Sequence, residues 1–280
     1  MPNNQRQAAI ALNAKERFVR RRSVQLRRQL RRAYAGLLAW ALATVRQGEI
    51  RKVDADPLNP FKFAERMRLI SLAVSGTTFE AAWNAEAKVA SDAGIKPSSV
   101  AILTRDVLRE RYVRNANLQI TGMAQADAGR VRELVARIVG GSVDSPGAAV
   151  AEIEETLSSQ FRGRVDGIAR NLVSEAYEKS RVEFWQSEAP GAAKRKRWIG
   201  SLGGEHDREH HNSIEDVDID ESFVVDSPQY GTIRMRHPND YAYPGEAINC
   251  KCTTVILFTP APKLPEFGIA TGSRNTQRVR

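Results

Sequence analysis

The hydrophobic rhythm of the chain changes once. From about residue 14 to 187, apolar side chains recur at the three-to-four-residue spacing of a helix face; beyond about 194 they come in short runs broken by Gly, Pro, Asp and Asn, the pattern of strands and turns. Val19, Leu26, Leu30, Ala33 and Leu37 line one face of a helix predicted over 14–47, with residues 1–15 read as loose. Pro57 and Pro60 close a break at 54–60. Residues 60–94 predict one or two helices, joined at Gly76 and stopped at Gly94. A helix capped by Ser98 or Ser99 carries Val100, Leu103, Val107, Leu108, Tyr112 and Leu118, and a further segment, 126–141, ends on a Gly pair. Ser145 caps and Pro146 opens the next helix, and 161–186 reads as another through Val165, Ile168, Ala169, Leu172, Ala176 and Val182.

After a linker-like 187–197, the runs KRKRWIG, ESFVV, TIRMR and TTVILF predict short strands. The expected class is α+β, a mostly helical N-terminal two thirds followed by a small C-terminal module of short strands and loops. The expected units are a basic helical arm (1–53), a helical domain (54–187), the module (188–258) and an extended tail (259–280).

Composition narrows the setting. With 42% hydrophobic residues in 280, a real core is within reach. The richest apolar stretch, AYAGLLAWALATV (33–45), is too short to span a bilayer; it follows a basic segment 32 residues long, and no convincing cleavage site comes after it, so neither a membrane span nor a signal peptide is expected. The net charge of +9 sits at one end: residues 1–32 hold ten Lys or Arg and one acid, and the remainder is balanced. Arg20, Arg21, Arg22, Arg27, Arg28, Arg31 and Arg32 are therefore the expected contacts to a polyanion, most simply nucleic acid, bound without sequence preference because no base-reading motif is present. The plainer alternative is a solvated amphipathic helix.

All four histidines (His206, His210, His211, His237) and both cysteines (Cys250, Cys252) fall between Trp198 and Cys252. A disulfide across C-x-C would be strained, so reduced thiols are expected, as ligands or in a cytoplasmic setting. Thiolate and imidazole are natural zinc ligands: Cys250 and Cys252 supply two, His211 the third ahead of His210 or His206, and Asp207, a second His or water the fourth. The competing reading makes the cysteines small buried hydrophobes and His211 a hydrogen-bonded core residue. Clustered His and acidic residues before Asn-Cys-x-Cys also suggest a metal-dependent nuclease or DNA-processing enzyme of the His-Asn-His type, although TTVILFTP stands where that type places a helix with its second histidine.

Five ordered pieces carry a resemblance: Trp198, Arg208 with His211, Phe223 after an acidic turn, Pro238 with Asp240, and Asn249-Cys250-Lys251-Cys252. Together they resemble the C-terminal module of the Mu F-like minor head (head morphogenesis) proteins of tailed bacteriophages, over about 165–256. The preceding helix is similar too, with Asn171 and Leu172 where Thr and Glu are usual. The resemblance implies a virion protein of the head interior or portal vertex, made in the bacterial host cytoplasm. Its implied partners are the portal protein, the major capsid protein and packaged double-stranded DNA, with no membrane in the assembled head. It implies a part in head assembly and, in some phages, release alongside the DNA; no enzymatic activity is expected.

Overall fold

A computed structural model describes residues 2–47, 60–96, 101–140, 146–188, 191–200, 208–248 and 250–258. The fold is α+β, as expected, with the long helices in the N-terminal two thirds and the strands after them. The helices are α1 (Pro2–Gln47), α2 (Pro60–Asp92), α3 (Ala101–Gly140) and α4 (Pro146–Ser187). No helix among the described residues is long and apolar enough to cross a membrane.

The helices are longer and fewer than the sequence pattern suggests. α1 starts at Pro2 rather than near residue 14, α2 runs through Gly76, the segments 101–125 and 126–140 form one helix, and 146–187 is continuous. A glycine inside a helix costs about 1 kcal/mol. Burying one large apolar side chain returns roughly 1.5–3 kcal/mol, so the packing of Phe79 and Trp83 beyond Gly76 decides the matter. Gly76 also lies where Arg109 of α3 crosses; an added Cβ would meet its Nε at 3.2 Å. The stop at Gly94 is as expected. That residue takes a left-handed φ of 72°, and the Ile95 N–H closes on the Ala90 carbonyl at 2.8 Å.

Leu26, Leu30, Tyr34, Leu37 and Trp40 of α1 share one core with Met67 and Phe79 of α2, Tyr112 and Ile120 of α3, and Ile153, Leu172 and Trp185 of α4. The N-terminal segment is thus not a detached arm: its inner face is a wall of the bundle. A buried ionic knot reinforces this core. Glu86 accepts Trp185 Nε1–H at 2.8 Å and pairs with Arg181 Nε at 3.1 Å.

The module opens with β1 (Ala193–Ile199), the centre of an antiparallel sheet ordered β2 (Val217–Asp218), β1, β5 (Thr253–Phe258). β3 (Phe223–Ser227) and β4 (Gly231–Met235) form a hairpin with Val225 opposite Ile233. Trp198, Phe223, Val225, Ile233, Met235, Cys250 and Cys252 make a second core. The outer edge of β5 meets helices instead of a strand: Glu178 accepts Thr254 N–H at 2.9 Å and Arg181 donates to the Thr254 carbonyl at 2.7 Å. These side chains satisfy the open ladder and tie the module to α4. The tail 259–280 lies outside the described residues.

Candidate metal centre

Three short devices assemble the site. A single 3-10 turn, Glu209–His211, presents adjacent imidazoles. A one-turn helix, α5 (Pro244–Ala247), with proline at its start, presents Glu246. The Cys250-Lys251-Cys252 loop then feeds β5, with Cys250 N–H on the Ala247 carbonyl at 3.2 Å.

His211 lies at the centre and is 2% exposed. Its Nε2 is 2.8 Å from Glu246 Oε2, and its Nδ1 faces Cys252 Sγ at 3.5 Å and Cys250 Sγ at 3.8 Å. Glu246 is also reached by His210 Nε2 at 2.9 Å and by the Ser227 hydroxyl. Burial works against its charge, but hydrogen bonds from Ser227, His210 and His211 prevail and hold its carboxyl below the usual carboxylate range. An ionised carboxylate only accepts, so Nε2 of His211 carries the proton and Nδ1 turns its lone pair to the thiols.

That geometry fits a metal ion. In a tetrahedral zinc site, with Zn–S about 2.3 Å and Zn–N about 2.0–2.1 Å, neighbouring sulfur and nitrogen ligands stand roughly 3.6 Å apart. The two observed Nδ1–Sγ separations bracket that value. The ligand atoms of His211, Cys250 and Cys252 all lie within 4.8 Å of one another, and the three residues are buried. A carboxylate on the far nitrogen of a ligating histidine is the usual support for such a centre. A hydrogen bond with Cys252, then burial, pushes the Cys250 thiol well up, and a bound cation would displace its proton. His210, His211 and Glu246 form a second such grouping, sharing His211.

Of the residues expected at the site, the structure brings together His211, Cys250 and Cys252. Asp207 and His206 lie outside the described residues. His237 does not join: it is buried with Nδ1 on the Pro238 carbonyl at 2.9 Å.

The motif residues converge on this centre as its frame. The Trp198 ring sits 5.1 Å from that of His211 and 5.3 Å from that of Phe223. Arg208 grips the end of α5 through the carbonyls of Gly245, Glu246 and Ile248, at 2.8–3.2 Å. Pro238 is buried, and Asp240 accepts the N–H groups of Arg236 and Ala242, each at 3.1 Å. Asn249 lies outside the described residues.

Four participants do not stand out in the sequence: Glu246, Ser227, Asn239 and Lys15. Asn239, at the middle of Pro-Asn-Asp, takes a left-handed φ of 66° and donates to the carbonyls of Ala247 and Cys250 at 3.0 and 2.9 Å. A turn triplet with a central Asn is a readable signal for that conformation. Lys15 is read from sequence only as part of the basic segment.

The basic surface is separate from this centre. Arg20, Arg21, Arg22, Arg28, Arg31 and Arg32 are exposed on α1 and Arg27 is half-buried. Among the described residues only Arg27 and Arg31 of these seven pair with a carboxylate, both with Asp166, at 3.4 and 3.7 Å. A cleft of about 1130 Å³ between α3 and α4 also contains arginines; there Arg130 and Arg164 share one carboxylate, Asp127, and Arg170 pairs with Glu16. On α1, five of those seven arginines carry no carboxylate partner among the described residues, and all five are exposed.

Compared with known proteins, the chain matches no protein-family model, no curated protein and no solved structure.

Proposed function

We propose that this protein is a structural minor head protein of a tailed phage. It docks at the portal or inner capsid, touches packaged double-stranded DNA through the outer face of α1, and acts in head morphogenesis. One observation carries the reading: Trp198, Arg208, His211, Phe223, Cys250 and Cys252, scattered over 55 residues of the resemblance, pack around one buried centre. A motif that converges in this way supports a common module rather than a chance string.

In this reading the ion is zinc, held by Cys250, Cys252 and His211, with Asp207, a second histidine or water completing the set. Zinc supplies a cross-link between the 3-10 turn and the start of β5 and performs no turnover; buried ligands suit such a closed, structural site. The exposed arginines suit counterion release on DNA, which predicts nonspecific and salt-sensitive binding.

The metal-dependent nuclease reading draws on the second grouping, His210, His211 and Glu246. Both imidazoles there point Nε2 at the same buried oxygen, an arrangement that favours orienting the histidines over activating water. Pull-down with the portal protein and composition of purified particles test the proposal: recovery with the portal ring is expected. Robust plasmid nicking with Mg²⁺, Mn²⁺ or Zn²⁺, abolished by His211→Ala, would replace it with the nuclease.

A further inference from the structure

Lys15 is out of place among its neighbours. Arg17, Arg20, Arg21 and Arg22 on the same helix face solvent, while Lys15 is 3% exposed. A buried ammonium is costly unless all three of its donors are met. Here Asn239 Oδ1, at 2.7 Å, and the carbonyl of Cys252 accept two of them, and Glu178 Oε1, at 3.0 Å, pairs with the charge.

Two of those partners belong to the frame of the metal centre. Cys252 is a thiol ligand, so Lys15 holds the backbone at one end of the C-x-C loop. Asn239 holds the other end, through Cys250 O, and also the end of α5 through Ala247 O, next to the Glu246 that orients His211. The ammonium thus brackets Lys251, itself exposed, from both sides. Glu178 closes the circuit, since its other oxygen takes the N–H of Thr254, two residues past Cys252. The loop that carries the two thiols is thus held by a side chain 237 positions away, on the helix that carries the exposed arginines.

We propose that Lys15 is a positioning residue of the metal centre, through which ion binding and the seating of α1 stabilise each other. The proposal rests on the metal reading above. Coupling of this kind is reciprocal: whatever Lys15 adds to ion affinity, the ion returns to the docking of α1. Ion occupancy is thereby felt by the surface offered to DNA, although the two sites share no ligand.

The test uses the full chain and Zn²⁺ itself. Lys15→Met keeps the aliphatic stem and removes the donors. Competition with a chromophoric chelator should show zinc held about 10- to 100-fold more weakly than in wild type, the usual range when a group that holds a metal ligand in place is removed. Arg17→Gln, on the exposed face, should leave zinc affinity unchanged. Hydrogen exchange gives the second readout: stripping zinc should accelerate exchange around residue 15 in the wild type and change little in Lys15→Met. Should Lys15→Met fail to fold, Asn239→Gly keeps the left-handed backbone, removes the same bridge, and should show the same weakened binding. Wild-type protein that binds zinc while both the Lys15→Met affinity and α1 exchange stay unmoved overturns this inference alone. Wild-type protein that takes up no zinc overturns the metal reading, and this inference with it.

Discussion

Glu246 and His211 meet at 2.8 Å, carboxylate oxygen to Nε2, and this single contact decides which way the imidazole can act. With Nε2–H committed to the carboxylate, Nδ1 is left as an acceptor directed at two thiols. Replacing Glu246 with Gln keeps the volume and removes the negative acceptor. Zinc affinity should fall by about 10- to 100-fold, read by chelator competition. Unchanged affinity would mean that the orientation of His211 is set elsewhere.

The α4 face toward the module holds a carboxyl whose protonation is set by burial. Desolvation raises Glu175 to about 8; Lys179 and Gln119 oppose the shift, while Asp240 adds to it. Its folded value lies above its ordinary one, so its contribution to stability is fully present below about 4.5 and is lost as pH rises toward 8. Two other buried groups run in the opposite sense: burial lowers His237, and burial lowers Lys196 to about 8. The difference between wild type and Glu175→Gln isolates the contribution of Glu175. The variant should gain melting temperature over wild type progressively from pH 5 to pH 8.5, and a constant difference across that range would contradict the assignment.

Glu86 neutralises a buried arginine and satisfies a buried indole at once. Removing one partner of such a pair strands the other charge, at a cost of about 3–5 kcal/mol. Glu86→Ala should lose stability on that scale in urea unfolding followed by circular dichroism. A loss well under 1 kcal/mol would show that Arg181 finds sufficient compensation in the Thr254 carbonyl.

Much of this molecule is legible in its sequence, and the failures share a cause. The helical face Val19, Leu26, Leu30, Ala33 and Leu37 is buried as its spacing predicts, and TTVILF is a strand over those six residues. The sequence pattern understates helix length because glycine acts as a local signal, while the packing that overrides it, such as Phe79 against Tyr112, is between helices. The His211, Cys250 and Cys252 grouping is visible because those residue types are rare and clustered. Its supports are not: Glu246 is one carboxylate among 33 acidic residues, and Lys15 one cation among 42 basic ones. Only the fold distinguishes them.

Because α1 is a wall of the core, deleting residues 1–32 would unfold the bundle and say nothing about DNA. Point changes avoid this. Arg20, Arg21, Arg28 and Arg32, all exposed, can be changed together to Gln. The fold should survive, DNA retention at low salt should drop, and the slope of log affinity against log salt should flatten by roughly 0.9 for each phosphate that is no longer neutralised. An unchanged slope would remove α1 as the polyanion surface.

Metal content bears most directly on the claim that the C-terminal module is fastened by an ion. Protein purified without chelator and analysed by plasma mass spectrometry should contain one zinc per chain. The double variant Cys250→Ser, Cys252→Ser should lack it and melt at a lower temperature. Absence of any bound metal from wild-type protein, together with a double variant that melts as wild type does, would contradict the account.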